Sequence, residues 1–141
     1  MKIFMTCLFC ILFFIGLVPN SLCEVGNGAP LKYIASCELD LNNDGDPDIA
    51  FLVETLKGRE LIVLLRTKNG YKAFLLSRGK PNMYLSCHFG KYVEETLAGK
   101  GEKKGKVYKT NGTYLKLTQP EGSSVAFFWN NNTFQEVWTS D

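Results

Sequence analysis

One histidine in 141 residues removes most imidazole chemistry at the outset. His88 has no second imidazole with which to build a zinc site. Its neighbour Cys87 is a poor nucleophile partner, because adjacent residues on a strand point to opposite faces. A surplus of one charge is also missing: 16 Lys and Arg stand against 14 Asp and Glu. That balance argues against a dedicated nucleic-acid or anionic-membrane binder. The one basic run, Lys100-Gly101-Glu102-Lys103-Lys104-Gly105-Lys106, is broken by glycines and an acid and reads as a solvated loop. No glycine-rich phosphate loop and no serine-nucleophile elbow occur. The adjacent acids Glu94 and Glu95 read as solvated surface. Long helical periodicity and internal repeats are absent as well, which leaves β-structure and too few strands for a complete propeller.

What is present begins with an export signal. Lys2 is the only charge before Glu24, and Ile3 to Val18 is apolar until Pro19 and Asn20 break the run. A spanning helix wants roughly 20 apolar residues, and this run is shorter. Residues 1–23 are therefore expected to form a signal helix cleaved after Cys23, with a secreted or periplasmic product. The alternative is a protein anchored in the membrane through an uncleaved N-terminal segment. Asn20 and Leu22 fit a lipobox poorly, so lipid attachment at Cys23 is not expected. Cys7 and Cys10 leave with the signal, and Cys37 and Cys87 remain as one even pair in an oxidising compartment. A bridge between them would close a loop of roughly 50 residues and contribute about 4 kcal/mol in the chain-entropy model. Two buried free thiols are the alternative.

Residues 24–141 are expected to form a single β-rich domain. Ile49 to Thr55, Glu60 to Thr67 and Tyr71 to Ser77 read as three strands of a meander, turned at Lys57-Gly58 and Asn69-Gly70. Asn-Gly suits a type I′ turn, whose two central residues both need positive φ. The unbroken run Leu61 to Leu65 reads as a strand covered on both faces. Met83 to Phe89 is a further strand, and Tyr92 to Leu97 is either a strand or a short helical turn. Asn111-Gly112 predicts a hairpin between Lys106–Lys109 and Thr113–Thr118, and Asn130-Asn131-Asn132 predicts another between Val125–Trp129 and Phe134–Trp138. The fold class is mostly β: antiparallel meanders in one or two incomplete, propeller-blade-like sheets, joined through Cys37 and Cys87. Trp129, Trp138, Phe127, Phe128 and Phe134 read as core and hairpin packing. Asn111-Gly-Thr113 and Asn131-Asn-Thr133 match glycosylation acceptors, which matter only in a eukaryotic secretory pathway.

The stretch Asp40-Leu-Asn42-Asn43-Asp44-Gly45-Asp46-Pro47-Asp48 carries the chemistry. Oxygen-bearing side chains recur at alternate positions, a spacing by which a short loop can supply several of the six to eight oxygens that a hard cation takes. Read as an EF-hand loop from Asp40, its twelfth position is Phe51, where a bidentate glutamate is needed, and a strand rather than a helix follows. The stretch, continued through Ile49-Ala50, instead resembles the calcium-binding loop of FG-GAP/VCBS-type repeats in integrin-like propellers. The resemblance implies Ca2+ as cofactor, side-chain oxygens from Asp40, Asn42, Asp44 and Asp48, and the backbone carbonyl of Asp46. It covers roughly a tenth of the chain and in a single copy, so neither the propeller nor its adhesive role carries over. The ending Val125–Asp141 also looks like that of small secreted bacterial proteins with one such loop. A metal-free polar turn is the alternative, although four aspartates in so short a stretch would then repel one another. The expectation is an exported, non-enzymatic β-domain that binds an unknown protein or glycan partner. The alternative is a periplasmic hydrolase, or an inhibitor of one, with its site among the loops.

Overall fold

The computed structural model describes residues 31–80, 82–96, 105–120 and 122–140. The expected signal, residues 1–23, lies outside the described residues. Eight strands follow one another: β1 (Lys32–Leu39), β2 (Asp48–Thr55), β3 (Gly58–Thr67), β4 (Gly70–Lys80), β5 (Tyr84–Glu94), β6 (Val107–Thr118), β7 (Ser124–Asn130) and β8 (Thr133–Ser140). Sequence neighbours pair antiparallel throughout, giving two four-stranded meanders, sheet A (β1–β4) and sheet B (β5–β8). Neither closes into a barrel.

Local chemistry sets the turns, and it departs from the expected pattern in three places. At Asn69-Gly70 only the glycine has positive φ, at +119°. Thr67 pairs with Gly70, so the two turn residues are Lys68 and Asn69 and the glycine opens β4. The Thr67 hydroxyl donates to the Gly70 carbonyl at 2.9 Å and accepts the Asn69 N–H at 3.3 Å. The β2–β3 turn repeats this device with Thr55 and Gly58. A glycine after the turn replaces the type I′ geometry because only glycine takes a φ as large as those of Gly58 (+111°) and Gly70 without strain. Type I′ signs appear instead at Asn131 (φ +49°) and Asn132 (φ +64°), between β7 and β8.

The second departure is at Asn111-Gly112, which is no hairpin: β6 runs straight through it. Gly112 (φ +105°) sits opposite Gly90 where the β5–β6 register shifts, and Thr110 closes the irregularity by donating to the Gly90 carbonyl. A glycine inside a strand commonly marks such a bulge. Tyr92 and Val93 accordingly belong to β5, not to a helical turn. Third, the run Leu61–Leu65 is not covered equally on both sides: Leu61, Val63 and Leu65 are buried, whereas Ile62 and Leu64 are half-buried.

The period of two builds one apolar layer between the sheets. Sheet A contributes Cys37, Leu39, Ala50, Leu52, Leu61, Val63 and Leu65, and sheet B contributes Leu115, Leu117, Val125 and Phe127. Edge-on contacts among Phe74, Trp129 and Phe134, with centroids 5.0–5.5 Å apart, join β4 to the β7–β8 hairpin. At the other seam β1 lies beside β5, and a disulfide joins Cys37 to Cys87 with Cα atoms 6.1 Å apart.

A smaller cluster, Val93, Ala126, Phe128 and Val137, fills the opposite face of sheet B, with Tyr108 and Tyr114 against it. The chain after β5 curls toward β8, where the Thr96 N–H donates to the Trp138 carbonyl at 2.7 Å. His88 lies on this face, stacked on Tyr114 with centroids 5.0 Å apart, while Cys87 takes the inner face. Burial, and then the positive charge of Lys116, hold the His88 imidazole below its ordinary 6.5. The unfolded chain thus takes up this proton before the folded one does. The resulting stability is complete above pH 6.5 and is lost as pH falls through the lowered folded value. Urea midpoints measured on either side of pH 6.5 are expected to show this acid-side loss in the wild type and a shallower one in His88→Gln. Equal slopes in the two proteins would contradict it.

Candidate metal centre

The Asp40–Asp48 stretch joins β1 to β2, and the phase of β2 determines how it folds. Asp48 shares the inner face with Ala50 and Leu52 and has no exposed surface. A carboxylate in that position must be satisfied internally. Its Oδ2 accepts the Leu41 N–H at 2.9 Å, and its Oδ1 accepts the Arg66 N–H at 2.7 Å. One side chain therefore ties the start of the loop to the end of β3, and Leu41 is fully buried in the layer above it. Burial pushes the Asp48 carboxyl up from its ordinary 3.8, while N–H donors from Arg66, Leu41 and Asn42 draw it back and Asp44 adds to the rise.

The remaining oxygens gather on the solvent side. Asp40 Oδ1 and Asn42 Oδ1 both accept the Asp44 N–H at 3.1 Å, and Asp40 Oδ2 accepts the Gly45 N–H at 2.9 Å. Asn42 Nδ2 donates to Asp44 Oδ2 at 2.8 Å, and Asp44 Oδ1 accepts the Asp46 N–H at 2.9 Å. Left-handed backbone at Asn43 (φ +60°) and Gly45 (φ +91°) produces this tight winding. Asp46 stays apart: its side chain is 57 % exposed and lies 3.9 Å from Arg66 Nε.

Of the five expected ligand residues, Asp40, Asn42 and Asp44 thus come together, Asp48 forms the floor beneath them, and the Asp46 side chain turns away. Among the described residues no group of three or more His, Cys, Asp or Glu side chains is arranged to hold a metal. The donor chemistry present is two carboxylates and an amide oxygen, which suits a hard cation in kind. Each of these oxygens is engaged in a hydrogen bond within the loop, so a cation would have to displace or share those bonds.

Two residues of this region had no local signal in the sequence. Thr113, on β6, donates its hydroxyl to the Asp40 carbonyl at 2.7 Å and so fastens the loop to sheet B. Arg66 supplies both the backbone donor to Asp48 and the only cation paired with the loop among the described residues. In comparisons with known proteins, no family model, no curated protein and no solved structure matches the chain.

Replacing Asp48 with alanine leaves the buried Leu41 N–H and the Arg66 N–H without their acceptor. A loss of about 2–4 kcal/mol is expected, read from urea midpoints in calcium-free buffer. Asp46→Ala removes only an exposed contact and is expected to stay within about 0.5 kcal/mol of the wild type. Equal losses from the two substitutions would show that Asp48 is not the clamp.

Proposed function

We propose that the chain is an exported, non-enzymatic β-domain that works by binding a protein or glycan partner and whose Asp40–Asp48 loop is stabilised by Ca2+. The observation that carries the binding role is the outer face of sheet A. Ile49, Phe51, Val53, Ile62, Leu64 and Leu75 project there from three adjacent strands and belong to neither apolar cluster. Leu75 is 38 % exposed, and Leu56, in the β2–β3 turn, is 82 % exposed. A contiguous apolar surface of this kind is characteristic of an interaction site. Exposed Tyr33 on β1 and Tyr84, Phe89 and Tyr92 on β5 add aromatic surface along the two strands that meet at the disulfide.

Calcium serves the fold in this reading. Asp40, Asn42 and Asp44 would hold the ion, with Asp48 beneath them and the Asp46 carbonyl as a further oxygen, and it would relieve the repulsion among closely spaced carboxylates. A ligand that binds only the folded state adds about 2.7 kcal/mol at a hundredfold excess over its Kd, or on the order of 10 °C in Tm for a domain of this size. Thermal melts in millimolar calcium against chelator are expected to show such a rise in the wild type and none in Asp44→Ala. Superimposable wild-type melts would rule the ion out. The binding role is checked by comparing wild type with Ile62→Lys, which places a charge on the outer face away from the core. Capture of a partner from envelope extract by the wild type alone, with equal Tm values, is expected. Identical capture by both proteins would place the interaction elsewhere.

A further inference from the structure

On the face of sheet B opposite the core, β5 and β6 bring together four polar or aromatic side chains. Ser86 is the cross-strand partner of Lys116, and His88 is the partner of Tyr114. Ser86 Oγ lies 2.9 Å from His88 Nε2 and 3.4 Å from the Lys116 carbonyl oxygen. The His88 and Tyr114 rings stack within 10° of parallel, and Tyr114 rests on the small apolar cluster behind it. All four residues are half-buried.

The composition of this cluster is unbalanced. It holds an ammonium, an imidazole and a hydroxyl, and among the described residues neither Lys116 nor His88 is paired with a carboxylate. The next strand places Ala126 opposite Lys116, so β7 supplies no counter-charge either. Two cation-forming groups held side by side disfavour each other's charged state; burial lowers the proton affinity of His88 first, and the Lys116 charge adds to it. An acyl-transfer role does not fit, because no described carboxylate orients the His88 ring from Nδ1 as a nucleophile–base pair requires. The arrangement suits recognition of a negative group, for which charge-assisted donors are the strong contacts.

We propose that Ser86, His88 and Lys116 form a binding site for an oxyanion, the phosphate or carboxylate group of a small ligand, with Tyr114 as its apolar floor. Lys116 Nζ donates to the anion, Ser86 Oγ does so by turning its one proton away from the Lys116 carbonyl, and His88 becomes a further donor when it takes up a proton. No covalent bond changes. The site uses neither the Asp40–Asp48 loop nor the outer face of sheet A, so it stands or falls separately from both.

His88 is the only histidine of the chain, so its ring resonances report on the site without assignment ambiguity. The folded protein is titrated with inorganic phosphate, with acetate and with chloride at matched ionic strength. A saturable shift of the His88 signals is expected with phosphate or with acetate and not with chloride. The stronger of the two binders tells a phosphate-bearing from a carboxylate-bearing ligand. Binding is expected to weaken roughly tenfold in Lys116→Met and to be retained in Lys106→Met, whose ammonium lies over Tyr108 instead. Ser86→Ala, expected to weaken binding several-fold, carries the test if Lys116→Met does not fold. Shifts that fail to saturate with both oxyanions, that match those in chloride, or that are unchanged in folded Lys116→Met and Ser86→Ala overturn the proposal.

Discussion

Burying the inner faces of two four-stranded sheets against each other fixes the direction of nearly every other side chain in the domain. With a period of two, placing Leu52, Val63, Leu115 and Phe127 in the shared layer commits Ile62 and Leu64 to the outside of sheet A. The same constraint sends His88 and Tyr114 to the outside of sheet B. Each inner residue of this kind contributes about 1.5–3 kcal/mol when fully buried, more than any turn or surface ion pair can offset. A slip of one residue in any strand would exchange the two faces. The seams reinforce that register: the disulfide acts where β1 meets β5, and the Phe74–Trp129–Phe134 group acts where β4 meets the last hairpin.

At Asp48, a buried carboxylate among the described residues, this constraint conflicts with polarity. Its position in β2 points it inward, and desolvating a carboxylate is costly unless hydrogen bonds replace water. The chain meets the cost by folding the preceding loop over it, so that the Leu41 N–H arrives from one side and the Arg66 N–H from the other. The winding that exposes Asp40, Asn42 and Asp44 together is then a consequence of satisfying Asp48. The loop has a structural reason for its shape with or without a cation. That is why the same residue pattern can be read both as an ion site and as a polar turn.

The meander, the Cys37–Cys87 pair and the strands around Leu61 and Phe127 were legible in the sequence, because branched and aromatic residues, turn dipeptides and an even pair of cysteines are local signals. What escaped depends on a partner strand. Asn69-Gly70 and Asn111-Gly112 are the same dipeptide, yet one closes a hairpin and the other lies in a bulge opposite Gly90. Only the residues across the ladder distinguish them. The continuous run Leu61–Leu65 suggested burial on both faces because periodicity cannot show that a second layer is missing. At the loop, the alternating oxygens were plain, but the inward phase of Asp48 and the reach of Thr113 across 73 positions to the Asp40 carbonyl were not.

That last contact changes what the loop is attached to. Asp40 follows Cys37 by three residues, just past the end of β1, and its carbonyl is held by Thr113, whose cross-strand neighbour is the exposed Phe89 on β5. Leu41 is embedded in the layer between the sheets. Disulfide, hydrogen bond and buried leucine therefore converge on the same end of the β1–β5 seam, and the loop belongs to the joint between sheets rather than to a hairpin tip. An ion gathered by Asp40, Asn42 and Asp44, on the reading proposed above, would stiffen the joint itself. Its influence would then reach both the outer face of sheet A and the aromatic edge of β5 without touching either.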